Sequence, residues 1–124
     1  MPVRYVIDRE WRVIVTTGEG RVTFSEIKDH QNRLLKDPAF DPNFNQLIDV
    51  TTATEMDLTD EEAHVVATRP VVSPKSRRAW VATDGAILGM GRLMQGYHGA
   101  RAVVQIFSDR HAALKWLVGR STNL

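Results

Sequence analysis

Three short, mostly apolar runs, "NQLIDV" (45–50), "AWVAT" (79–83) and "AVVQIF" (102–107), recur along the chain with helix-patterned segments between them. An apolar run of this length without clean alternation suits a strand buried on both faces, as in a parallel sheet. Parallel neighbours need a crossover of about a dozen residues or more, and a helix supplies it. The recurrence therefore commits most of the chain to helix–strand repeats around one α/β sheet.

The start of the chain follows a different rhythm. In "VRYVID" (3–8), Val3, Tyr5 and Ile7 share one face, and in "WRVIVTT" (11–17), Trp11, Val13 and Val15 do. Only Arg9 and Glu10 separate these runs, so they pair as an antiparallel hairpin, with Gly18 and Gly20 ending the second strand. Thr23 with Glu26 forms a capping box, in which the hydroxyl accepts from an orphan backbone amide and the glutamate reaches back. It opens a helix over 24–36, with Phe24, Ile27, Leu34 and Leu35 at helical spacing, and Asp37-Pro38 stops it. Thr59 and Glu62 form a second box, opening a helix over 60–68 that Pro70 ends. An irregular arm over 69–78 follows, then a glycine-rich helix over 86–98 and a last helix over 109–118. Ser108 or Asp109 caps that last helix, and Gly119 sits where a helix commonly stops.

The expected fold is one α/β domain over residues 1–124. It has a mixed, mostly parallel five-stranded sheet, an N-terminal antiparallel edge strand, and about four helices joined by right-handed crossovers. A chain of 124 residues, 43% apolar and 25% charged, is long enough to bury one core. No apolar run approaches the roughly 18 residues of a transmembrane segment. Asp8, Arg9 and Glu10 stand where a signal peptide needs its apolar stretch, so a cytoplasmic location is expected. With no cysteine, thiol catalysis, disulfides and cysteine metal sites are excluded together.

Charge is distributed unevenly. Residues 1–68 carry 7 Lys/Arg against 13 Asp/Glu, and residues 69–124 carry 9 against 2. Arg69, Lys75, Arg77, Arg78, Arg92 and Arg101 make the C-terminal half attractive to anions, although two halves lying side by side can merely give the domain a dipole. Nucleic acid is not an expected partner, because there is neither a long basic run nor interleaved aromatics.

The order and spacing of "DPAF" (37–40), "QLIDV" (46–50), "DLTDEEA" (57–63), "RRAWVA" (77–82) and "VVQIFSDRHAALKWL" (103–117) resemble the small SpoIIAA-like proteins, relatives of STAS domains. The resemblance covers Tyr5 to about Leu117. It implies a SpoIIAA-like βα superhelix of about four turns with an extra N-terminal strand, and a regulatory or binding role more often than a catalytic one. In phospho-regulated relatives an aspartate–serine pair follows the "LDLS"-type strand. Laying "IDVT" on that strand puts Asp57 at the aspartate and Leu58, which cannot accept phosphate, at the serine. Thr59 falls one position late, where helix capping explains it better.

Candidate ligand or partner residues follow from position. Ligands of parallel sheets gather beyond the C-terminal strand ends, which here offer Asp49, Thr51, Thr52, Thr83, Asp84, Ser108 and Asp109. That set holds acids and hydroxyls but no Arg or Lys, which argues against a phosphate cradle. The plainer reading makes Asp49, Asp84 and Asp109 acceptors of backbone N–H groups. Arg77 and Arg78 ahead of Trp80 form a second candidate, a contact surface of exposed arginine beside tryptophan. Gly89 and Gly91 are a third. They fail the dinucleotide fingerprint, since Met94 stands where its third glycine belongs, and point first to close helix packing and second to a nearby ligand or subunit. Ile87, Met90, Met94 and Tyr97 give their helix its apolar stripe.

His30, His64, His98 and His111 show no metal spacing and are expected as surface or cap residues. No catalytic constellation, metal site or cofactor is expected. The favoured role is a non-catalytic regulatory or protein-binding module, self-association included. The alternative is a carrier or sensor for a lipid-like or anionic small molecule, which an elongated apolar cavity would favour.

Overall fold

The computed structural model describes residues 2–98 and 103–118. Five strands, β1 (Val3–Asp8), β2 (Val13–Thr23), β3 (Asn45–Asp57), β4 (Arg77–Val81) and β5 (Val103–Phe107), form one sheet in sequential order. β1 runs antiparallel to β2, and the remaining pairs are parallel. Four helices follow the strands: α1 (Phe24–Lys36), α2 (Asp60–Thr68), α3 (Gly85–His98) and α4 (Arg110–Val118). Among the described residues no helix is long and apolar enough to cross a membrane.

Sequential order decides the layering. When a sheet grows in one direction and every crossover has the same hand, all the crossover helices fall on one face. α1, α2 and α3 do so, packed in a row with α2 against both neighbours. α4 crosses back to no further strand, and it covers β3, β4 and β5 on the opposite face. Two layers of core result. Val13, Leu47, Ala79, Val81, Ala113 and Leu117 meet under α4, while Val22, Val50, Trp80, Ala82 and Ile87 meet on the face of the three crossover helices.

The local signals at the first two helices are present as atoms. Thr23 Oγ1 accepts from the Glu26 amide at 3.3 Å while Glu26 accepts from the Thr23 amide at 2.9 Å. Thr59 and Glu62 repeat the exchange at 3.1 and 2.9 Å. Aspartates open the other two helices, with Asp84 Oδ1 accepting from Ala86 N–H and Asp109 Oδ1 from His111 N–H.

Three boundaries in the N-terminal half differ from expectation, and β4 opens at Arg77 inside the expected arm and ends at Val81 rather than Thr83. The hairpin turn takes four residues rather than two: Asp8 Oδ1 accepts from Trp11 N–H at 2.9 Å, and Arg12 adopts a positive φ of 59°. Trp11 therefore lies in the turn and is exposed, and the strand begins at Val13. Gly18 and Gly20 do not end β2, which runs on to Thr23 through irregularities at Thr17/Glu19 and Gly20/Arg21. Residues 51–57 are strand rather than loop, because they pair with that extension: Arg21 stands opposite Glu55 and Thr23 opposite Asp57. Arg21 also forms an ion pair with Asp57. Gly99, Arg101 and Gly119, on which parts of the expected helix ends and basic half rest, lie outside the described residues.

Candidate functional site

α2 is short, and the residues it buries are small: Ala63, Val66 and Ala67. It leans on α1 and α3 more than on any strand, and small side chains do not fill the space beneath it. A cavity with about 110 Å³ open to the centres of water molecules lies there between the three crossover helices and the sheet. Every strand contributes to its wall, with Val3, Thr16, Gln46, Trp80 and Val104 among the lining residues.

The cavity is polarised along the strands. Gln46 of β3 stands opposite Arg78 of β4, and both line the wall. Gln46 Nε2 donates to Thr16 Oγ1 at 2.9 Å, and Thr16 Oγ1 lies 3.3 Å from His30 Nε2. If the hydroxyl receives from Gln46 and passes its own hydrogen to Nε2, the neutral imidazole carries its proton on Nδ1. That Nδ1 is buried with no hydrogen-bond partner. Burial, then the nearby Arg33 charge, pushes the His30 pKa down to about 4, against a smaller raising effect of Asp29. Half-buried Arg69 spans the α1–α2 seam, donating to Asn32 Oδ1 at 2.7 Å and Gln31 Oε1 at 3.4 Å. Farther along the strands the wall turns apolar, with Ile48, Val50, Val22, Met56 and Met94.

This arrangement corrects two sequence expectations. Arg78 and Trp80 are not an exposed contact surface: β4 begins at Arg77, so alternation turns both of them inward under the helices, where Trp80 is 4% exposed. Arg77 faces the other way. Its Nη1 donates to the Trp116 carbonyl at 2.7 Å and its guanidinium lies over the Trp116 ring, tying β4 to the end of α4. His30 is not a surface residue either, because it falls between Ile27 and Leu34 on the inner stripe of α1.

The glycines of α3 divide. A Cβ on Gly91 would sit 2.6 Å from Trp80 Nε1 and 2.9 Å from Cγ, and closer still to Cδ1, whereas a Cβ on Gly89 meets nothing. Gly91 lets α3 close on the indole, whose Nε1 donates to the Ile87 carbonyl at 3.2 Å. Gly91→Ala is expected to cost about 1–3 kcal/mol through overpacking. Gly89→Ala, at an exposed helix position, should gain up to about 1 kcal/mol. Urea midpoints of the two variants check this pair, and equal shifts would refute the close approach.

None of the strand-end candidates is among the cavity-lining residues, and Asp49 is tied to α4 instead. Asp49 Oδ1 accepts from Thr51 N–H at 3.0 Å and from Thr51 Oγ1 at 2.7 Å, and Oδ2 accepts from Arg110 Nη1 at 2.9 Å. Burial alone would raise the Asp49 pKa, but the Thr51 and Arg110 bonds outweigh it and hold the carboxyl below the usual range. A cation therefore does reach this strand end, from the first residue of α4, and it is already engaged. Exposed Thr52 donates to the Gly18 carbonyl at 3.4 Å, and Thr59 serves α2 as its cap. Among the described residues no group of three or more His, Asp or Glu could hold a metal.

No family model and no curated protein matches the chain. Among solved structures, an uncharacterised DUF3478-family protein with a SpoIIAA-like fold from Shewanella loihica PV-4 superposes with a TM-score of 0.64. The match covers 93% of both chains at 17% identity. The fold is SpoIIAA-like. At that identity the likeness is one of fold alone.

Proposed function

We propose that this protein binds a small apolar or amphipathic molecule in the cavity under α2 and acts as a carrier or sensor rather than an enzyme. The observation that carries the reading is the cavity itself, mostly apolar with a few convergent polar groups, which is the usual make-up of a ligand site. Its ionisable side chains suit holding better than proton transfer. His30 is pushed down to about 4 and stays neutral near pH 7, and Arg78, lowered by burial to about 10, stays protonated.

A regulatory or protein-docking role is the second reading. Val6 and Trp11 support it, being 67% and 47% exposed on and beside the edge strand of the hairpin. Native mass spectrometry of gently purified, untagged protein separates the two. The ligand reading expects an added small mass that is lost on denaturation, or uptake of decanol or decanoate by the empty protein. A protein that carries nothing and takes up neither compound retires it in favour of docking.

A further inference from the structure

We infer that the cavity takes an amphiphile with an anionic head, a carboxylate or a phosphate monoester, seated at Arg78 with its apolar body toward Ile48, Val50 and Met56. This inference rests on the ligand-binding reading above and adds the chemical class and orientation of the ligand.

The charge of the wall decides the sign. Among the described residues the lining side chains include two cations, Arg69 and Arg78, and no carboxylate. A neutral head can accept a hydrogen bond from these cations but brings no opposite charge, and a cationic one would be repelled by them. The position of Arg78 decides the orientation. It shares a level of the sheet with Gln46, next to the Gln46–Thr16 bond, while the wall farther along the strands is aliphatic. A ligand matching that gradient is polar at one end and apolar along its body.

The chemistry of the head follows from the donor. A guanidinium offers parallel N–H groups that fit the paired oxygens of carboxylate or phosphate. Gln46 and the Thr16 hydroxyl stand near enough in register to add polar contacts. Burial lowers the Arg78 pKa to about 10, so the group is still charged at neutral pH yet held largely out of water. An anion seated beside this half-buried guanidinium gains more from the charge than it would in bulk water.

Isothermal titration calorimetry with decanoate, decyl phosphate and decanol, each below its aggregation concentration, tests the inference on the full chain. The chain body is common to the three, so differences report the head. Wild-type protein is expected to bind at least one of the anions about tenfold or more tightly than decanol, the scale of a hydrogen bond to a charged group. A preference for decanoate points to free carboxylates, and a preference for decyl phosphate points to phosphorylated lipids. Arg78→Met keeps the aliphatic stem and should bring the anions to within about twofold of decanol, and Arg78→Lys should keep part of the preference. Circular dichroism checks that each variant folds, and if Arg78→Met does not, the wild-type comparison still decides. Equal affinity of wild type for decanol and both anions would overturn the anionic head and leave the ligand-binding reading intact. Binding of none of the three would overturn both.

Discussion

Trp80→Ala is expected to lower the stability of this domain by about 3–5 kcal/mol, the range for truncating a large buried aromatic. Trp80 lies on central strand β4 at 4% exposure, in the core layer shared with Val50, Ala82 and Ile87. Its Nε1 donates to the Ile87 carbonyl, so truncation removes a bond between sheet and helix together with the ring. The indole also forms cavity wall, so the space it leaves joins an existing void rather than collapsing, and poor collapse puts the cost toward the upper end. Trp80→Phe should cost less, since it keeps most of the apolar area and loses mainly the Nε1 bond, worth about 1 kcal/mol. Coupling provides a sharper check. Gly91 abuts the indole, so the penalty of Gly91→Ala should vanish in the Trp80→Ala background, giving a coupling energy of about 1–3 kcal/mol. Urea denaturation at constant m measures all of these. Additive single and double variants would mean that α3 does not close on Trp80.

How much of this was legible in the sequence depends on how local each signal is. β1, α1 and α2 take the expected bounds because their ends are written within a few residues: the capping boxes at Thr23 and Thr59, Asp37-Pro38, and Pro70. The long arms of β2 and β3 were hidden because each is stabilised only by the other. Thr51, Thr52 and Thr54 look like loop until Glu19–Thr23 pairs alongside. Trp11 followed the alternation of its strand but fell to the turn once Asp8 captured its amide. The cavity was the least legible feature, since its wall is gathered from eight elements and each aliphatic residue in it reads as ordinary core. Signals did exist in the polar residues. His30 interrupts the apolar stripe of α1 between Ile27 and Leu34, and Arg78 has the same strand parity as Trp80. A polar group at an inward position is the informative exception to burial, and two of them aimed at the same face mark where a core stops being purely apolar.

His30 should also make the domain lose stability as pH falls from about 6.5 to 4. The groups around it are the Thr16 hydroxyl, joined to Gln46, the Tyr5 ring at 5.4 Å, and Arg33 and Asp29 on its own helix. Burial is the main reason that its folded pKa is lowered from 6.5 to about 4. The sign follows from proton counting. Between these two values the unfolded chain binds a proton that the folded chain refuses, so stability rises with pH across the window and is lost on acidification. A depression from 6.5 to about 4 corresponds to a loss of about 3 kcal/mol by pH 4, with nothing further from this group below it. Carboxylates act lower. The Tyr5 hydroxyl and the Ala39 amide hold Asp37 below its ordinary 3.8, and Asp49 is held below it as well, so their contributions fade only beneath that value. The two effects therefore separate on the pH axis. In His30→Gln, an uncharged replacement able to bond Thr16, the slope between pH 6.5 and 4 should flatten while the steeper loss below pH 4 remains. Urea unfolding at pH 7, 5.5 and 4.5 reads the difference, and parallel curves for wild type and variant would show that the imidazole is not buried as a neutral group. The chemistry under α2 would then be different too, since a protonated His30 would add a third cation to the wall that holds Arg69 and Arg78.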